Sequence, residues 1–220
     1  MKVLAIIPAR GGSKRVPNKN TKMLFGKPLI AHTILQAKES KYIDKVVVST
    51  DDPEIKRIAQ TYLCAVVDRP KKLATDTAST ESVIMHVIKK AKEYNSVIVL
   101  LQCTCPMRTA EDIDKAIEMY ERYDSVLSVC PSKSILWKNN GKGGKSITYE
   151  EGNRPTRSQD IDYYEENGAI YVFGRHGFLE HKLRMYGNKG LYIMSKERSI
   201  DIDEEEDFEY LEWKYGNRKR

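Results

Sequence analysis

The chain has 220 residues, enough for one large α/β domain carrying an insertion or a small arm. Hydrophobic residues make up 40% and charged ones 31% with both signs interspersed, which excludes a disordered chain and points to a packed core under a charged surface. The formal net charge of +6 suits acidic partners, whether nucleotide, sugar acid or nucleic acid, and the apolar run from Val3 to Pro8 is too short for a membrane span or a signal-peptide core.

Residues 2–8 read as a buried parallel strand, nearly continuously apolar and ended by Pro8. A Gly-rich basic loop follows, and residues 30–39 carry the spacing of an amphipathic helix with Ile30, Ile34 and Leu35 on one side. Residues 46–48 form a second strand, which runs into Asp52 as N-cap and Pro53 as first residue of a helix reaching about Tyr62. Residues 65–67 make a third strand. Ser79 or Thr80 caps a helix whose core stripe is Val83, Ile84, Val87, Ile88 and Ala91. Residues 96–101 are the most strand-like in the chain, and Thr109 with Asp112 resembles a capping box opening a helix to about Tyr120. Residues 125–129 give a fifth strand. This alternation specifies a mostly parallel sheet with helices on both faces.

The rhythm breaks after Cys130. Residues 131–167 are polar, as binding loops, lids and arms are. Residues 169–173 form a strand, 174–190 are mixed and basic, 191–194 are strand-like, and a helix runs from about Glu204 to Tyr215. The four cysteines form no CxxC pair. They read as reduced thiols of a cytosolic protein, with metal binding by Cys103 and Cys105 as the alternative. A cytoplasmic location without membrane association is expected.

Four segments carry chemistry. Pro8-Ala9-Arg10-Gly11-Gly12-Ser13-Lys14-Arg15 with Lys19 and Asn20 sits at the carboxyl end of the first strand, where open α/β sheets bind ligands. Its glycines let backbone N–H groups approach an anion, and Arg10 and Lys19 neutralise one; a surface turn with solvated lysines is the bland alternative. It is neither a Walker A loop nor a GxGxxG fingerprint. In Ile200-Asp201-Ile202-Asp203 the period of two puts both carboxylates on one face, where they either hold Mg²⁺ or favour the following helix N-terminus. The third segment is residues 101–109 at another strand end. The fourth runs from Arg154 to Tyr171, where Arg157 offers a planar fork to a carboxylate and Tyr163 and Tyr164 either meet a ligand or pack as core.

These residues resemble the CMP-sialic acid synthetases (acylneuraminate cytidylyltransferases). The resemblance rests on Ile7 to Lys14 with Pro17, Lys19 and Asn20; Ser49-Thr50-Asp51; Arg69-Pro70 with Leu73, Ala74 and Asp76; Gln102, Thr104, Pro106, Arg108 and Thr109; Asn167-Gly168-Ala169-Ile170-Tyr171; and Ile200 to Asp203, all in the family's order. It implies a single nucleotidyltransferase domain over residues 1–220, of the Rossmann-like nucleotide-diphospho-sugar transferase type. A dimerisation arm is implied at about 174–194, and with it a homodimer. It further implies attack of an acidic sugar's anomeric hydroxyl on the α-phosphate of CTP, with Mg²⁺ or Mn²⁺ as cofactor.

Carried over by position, Arg10, Gly11, Gly12, Ser13, Lys19 and Asn20 would hold the triphosphate, while Arg69, Ala78 and Thr80 would line the nucleoside side. Gln102, Lys133, Arg157 and Tyr171 would meet the sugar, and Asp201 and Asp203 would bind the metal. Arg10, Lys19 and Asp203 would be the catalytic set. No histidine lies in a motif, so metal-assisted deprotonation of the sugar hydroxyl is expected. Where the family reads Gln-Pro-Thr-Ser-Pro, this chain has Gln102-Cys103-Thr104-Cys105-Pro106, beside the sugar site. The alternatives are an eight-carbon ulosonic acid with CTP, or an amino sugar with GTP. A basic RNA-binding module is the reading from another class; the chain lacks RNP patterns, and no nucleic-acid partner is expected.

Overall fold

Continuous apolar strands must be covered on both faces, and the first strand shows how. In the computed structural model, which describes residues 2–91, 96–150, 152–153 and 163–216, β1 (Val3–Pro8) turns Val3, Ala5 and Ile7 to one helical layer and Leu4 and Ile6 to the other. A short hairpin, β2 (Met23–Leu24) and β3 (Lys27–Pro28), leads into α1 (Leu29–Glu39), β4 (Lys45–Thr50), α2 (Pro53–Thr61) and β5 (Ala65–Asp68). Next come α3 (Thr80–Lys90), β6 (Val97–Leu101), α4 (Ala110–Met119) and β7 (Ser125–Ser132). A small hairpin, β8 (Trp137–Asn139) and β9 (Gly144–Ser146), precedes β10 (Tyr163–Gly174), α5 (Arg175–His181), β11 (Lys189–Ile193) and α6 (Glu205–Tyr215).

The main sheet has seven strands in the order β11-β7-β10-β6-β1-β4-β5. β1 pairs in parallel with β4 and β6, β4 with β5, and β7 with β11; β10 alone runs antiparallel to its neighbours β6 and β7. The expected mostly parallel sheet with helices on both faces is therefore present. One face packs on α1, α2 and α4 through Ile30, Ile34, Ile55, Ile58, Ile113 and Ile117. The other packs on α3 and α5 through Ile84, Val87, Ile88 and Phe178.

The helix signals act as read. The Asp52 carboxylate accepts from the N–H groups of Glu54 and Ile55, and Pro53 is the first helical residue. Ser79 accepts from the Ser82 N–H, and Thr109 and Asp112 close a reciprocal capping box.

Residues 189–193, which include the strand-like 191–193 and fall in the span that the resemblance assigns to a dimerisation arm, form the outermost strand of the main sheet. The preceding α5 packs inward through fully buried Phe178, with Gly177 against the Tyr186 ring. What projects among the described residues is the β8–β9 hairpin, with Leu136, Trp137 and Ile147 exposed. No helix among the described residues is long and apolar enough to cross a membrane.

Candidate active site

From β1 the chain extends the sheet in one direction through β4 and β5, then crosses to place β6 on β1's other side. Such a switch point leaves a crevice at the carboxyl ends of the strands. A cleft of about 540 Å³ opens there, reached by Arg10, Ser13, Lys19 and Asn20 after β1, Arg69 after β5, and Gln102 after β6, with Ala78 and Thr80 along its side. Of the sequence-predicted triphosphate and nucleoside residues, all but Gly11 and Gly12 thus line one cleft.

The basic loop is shaped by its neighbours. Asn20 donates to the Arg10 carbonyl at 3.0 Å, and the Gly11 N–H donates to Asp51 at 3.2 Å. A Cβ at Gly11 would stand 2.5 Å from a carboxylate oxygen of Asp52, so only glycine fits there; at Gly12 a Cβ would meet nothing within 4 Å. Val16, buried with Leu24, Leu29, Ile202, Phe208 and Leu211, pins the loop to α6 and to the acidic segment.

Cations and carboxylates alternate around the cleft. Arg10 lies 2.7 Å and Lys14 2.5 Å from Asp76, while Arg15 lies 2.7 Å from Asp203. Lys19 is 8% exposed, and its ammonium donates to the Ile202 carbonyl at 2.5 Å and to Asp203 at 3.3 Å. Arg69 is buried and donates to the carbonyl of Ser49 at 2.5 Å; burial lowers its pKa to about 10, against the opposing pull of Asp51. The Asp201 carboxyl is raised above the usual carboxylate range, first by the protein crowded around it and then, against a hydrogen bond from Thr104, by the like charge of Asp203. That crowding coexists with an exposed residue surface, so the group still meets solvent.

The predicted sugar-side residues divide. Gln102 lines the cleft beside Gly168, whose φ of +71° demands glycine and whose Cβ would lie 3.1 Å from the Gln102 carboxamide oxygen. Tyr171 is 2% exposed within the core beside α3; its hydroxyl donates to Glu166, and the Arg184 guanidinium lies 4.6 Å over its ring. Lys133 is exposed just beyond β7, away from the cleft lining. Arg157 lies outside the described residues.

Buried Asn167 links strands to the acidic segment. It accepts from Ser128 at 2.6 Å and donates to Ser199 at 2.8 Å, while its carbonyl accepts from the Cys105 thiol at 2.9 Å. Burial pushes the thiols of Cys103 and Cys105 up to about 12, as in buried structural cysteines. The roles of Asp76 and Arg184 were not read from sequence. Asp76 stood within a motif, but nothing local shows that it faces Arg10, and Arg184 pairs with Glu81 across 103 positions.

This sheet order and this cleft define an α/β protein with a crevice at the carboxyl ends of its strands. The chain belongs to the cytidylyltransferase family, whose model matches residues 4–215. It is 39% identical over 218 residues to the N-acylneuraminate cytidylyltransferase of Escherichia coli O18:K1:H7, covering 94% of this chain but 51% of that protein. The chain thus spans about half the length of that relative. It is 38% identical over 220 residues to the CMP-N,N'-diacetyllegionaminic acid synthase of Legionella pneumophila, covering 92% of this chain and 91% of that one. The solved structure of a CMP:2-keto-3-deoxy-manno-octonic acid synthetase superimposes with a TM-score of 0.73 over 96% of this chain and 97% of its own, at 19% identity, and so shares the fold.

Proposed function

We propose that this chain couples CTP to the anomeric hydroxyl of an acidic nine-carbon sugar, a sialic or related nonulosonic acid, giving the CMP-sugar and pyrophosphate. One observation carries the reading: a single cleft gathers Arg10, Ser13, Lys19 and Asn20 of the basic loop, the nucleoside-side residues and Gln102, and its lining Lys19 is bonded to Asp203. Transfer of this kind needs positioning and charge neutralisation more than covalent chemistry. Arg10, Lys19 and the Gly12 N–H supply positive charge where the triphosphate develops negative charge, while the Gly11 N–H, bonded to Asp51, shapes the loop. Ser13 and Asn20 orient it, Arg69, Ala78 and Thr80 flank the nucleoside, and Gln102 meets the sugar. Arg157 is the proposed fork for the sugar carboxylate; Lys133 and Tyr171, expected beside the sugar, lie outside the lining of this cleft.

Asp201 and Asp203 fit a magnesium or manganese site. The like charge of Asp203 helps raise the Asp201 carboxyl, so the two acids lie close enough to act on one another. A Mg²⁺ shell completed by water and substrate phosphate matches such a pair. Bound there, the ion would neutralise phosphate charge and acidify the attacking hydroxyl. None of the four histidines lines the cleft to act as a base.

Pyrophosphate release across CTP, GTP, ATP and UTP, crossed with a panel of sugar acids, tests the proposal; no turnover with CTP and any nonulosonic acid overturns it. N,N'-diacetyllegionaminic acid is the second acceptor to consider, because the Legionella relative matches over nearly its whole length. The enzyme is further proposed to be a cytoplasmic homodimer, supported by the apolar side chains exposed on the projecting β8–β9 hairpin. Light scattering that gives monomer mass at micromolar concentration would refute the dimer.

A further inference from the structure

Beneath the cleft sits a cation that meets no phosphate-site residue. Arg108 is 1% exposed, the bulkiest side chain in the fully buried set, and burial pulls its pKa down. No carboxylate lies within ion-pairing distance of it among the described residues. Instead its guanidinium fork donates to neutral acceptors from three directions. One amino group reaches the carbonyls of Gln102 at 3.2 Å and Ala169 at 2.6 Å. The other reaches the Thr33 hydroxyl at 2.9 Å and the Gln36 carboxamide at 3.1 Å, both on α1.

The acceptors explain the position. Gln102 directly follows β6, and Ala169 lies in the irregularity where the pairing of β10 with β7 shifts between Glu166 and Tyr171. Gln36 also donates to the Pro106 carbonyl at 2.6 Å, closing the turn after β6 from its far side. Within that turn the Thr104 carbonyl accepts from the Ile202 N–H at 2.8 Å, which fixes the segment bearing Asp201 and Asp203. One planar group therefore holds the backbone from which the sugar-side carboxamide and, through Thr104, the acidic pair are presented. Packing alone does not account for an arginine here, since an apolar side chain of similar volume fills such a space without the desolvation penalty. The directional bonds do account for it: lysine lacks the planar fork.

We propose that Arg108 is a positioning residue for the transfer step, holding Gln102 and the Asn167-Gly168-Ala169 bend in mutual register so that the sugar meets a preformed site. This rests on the sugar-activating function proposed above. The test is steady-state pyrophosphate release by the full chain with Mg²⁺, varying CTP and N-acetylneuraminic acid separately, for wild type and Arg108→Lys. Displacing a reacting group by about 1 Å lowers rate by ~100-fold, so kcat/KM for the sugar should fall by that order while the KM for CTP barely changes. Thr33→Val removes one of the four bonds at nearly constant volume and carries the test if Arg108→Lys does not fold; losing one charge-assisted bond predicts a ~10-fold loss with the same bias toward the sugar. Unchanged sugar kinetics in a folded variant, or a KM for CTP that rises as much as the KM for the sugar, overturns the inference. Absence of wild-type turnover across the sugar-acid panel refutes the proposed function itself.

Discussion

The Lys19 ammonium donates at once to the carbonyl of Ile202 and to the carboxylate of Asp203, across 183 and 184 positions of sequence. A phosphate-loop cation is thereby held rigidly against the acidic segment, where charge develops during transfer. Preorganised charge of this kind acts on the transition state more than on the ground state.

Lys19→Ala should therefore slow the chemical step by ~100-fold or more, the order seen when one preorganised donor is lost, with a smaller change in the KM for CTP. Initial-rate kinetics decide the matter. A variant with wild-type kcat and a raised KM would make Lys19 a binding residue only.

Asp203→Asn is expected to abolish turnover, as is excess EDTA with the wild type. Its thermal midpoint should stay close to wild type, because the Asp203 side chain is 41% exposed and its pairing with Arg15 is largely solvated. Retained activity in either experiment rules out the proposed metal site.

The two loop glycines should respond differently to alanine. At Gly11 the new methyl collides with Asp52, the cap of α2, so Gly11→Ala should lower stability by about 1–3 kcal/mol, as overpacking does. At Gly12 the protein leaves room, so Gly12→Ala should keep the wild-type melting temperature and raise the KM for CTP only if phosphate approaches that backbone. Paired melting curves and CTP titrations separate steric from ligand effects; a Gly12→Ala protein that binds CTP normally argues against close approach.

His86 supplies a pH dependence. Burial first, then Lys90, Arg69 and Lys72, depress its pKa, and its Nδ1 is buried without a hydrogen-bond partner. The folded state thus binds fewer protons than the unfolded state once pH drops below histidine's ordinary pKa of about 6.5. Stability should be full above that value and decline with acidification until the depressed pKa is passed. Replacing His86 with Gln should flatten this part of a denaturation-versus-pH profile; an unchanged slope would assign the dependence elsewhere.

Much of the nucleotide half was legible in sequence because its signals are local. Apolar continuity marked β1 and β6, and side-chain caps at Asp52, Ser79 and Thr109 marked helix starts. The later half hides its order in distant pairings. Tyr163 to Glu166 are exposed and polar, yet they extend β10 because β7 offers backbone partners from Val129 to Ser132. Residues 191–194 read as strand-like, yet nothing local says that β7 takes up 189–193 as its parallel edge strand. In the site, residue types in the loop announced an anion cradle, but which carboxylate faces which cation depends on turns that no local pattern encodes. Asp76 beside Arg10 and Arg184 over Tyr171 are of that kind.

Ile202 is wholly buried between two acids that face outward, anchored with Val16 and Phe208. An extended segment alternates sides with every residue, so its register can slip only in steps of two without exchanging the faces. One residue inserted or deleted between Ser199 and Ile202 would drive a carboxylate into the apolar anchor and turn the isoleucine toward solvent. Length changes within 204–206 would leave that parity intact but turn Phe208 and Leu211 of α6 away from the same anchor. Indel tolerance in the extended segment should thus be set by odd or even spacing, a counting rule that laboratory evolution with single-codon insertions would expose directly.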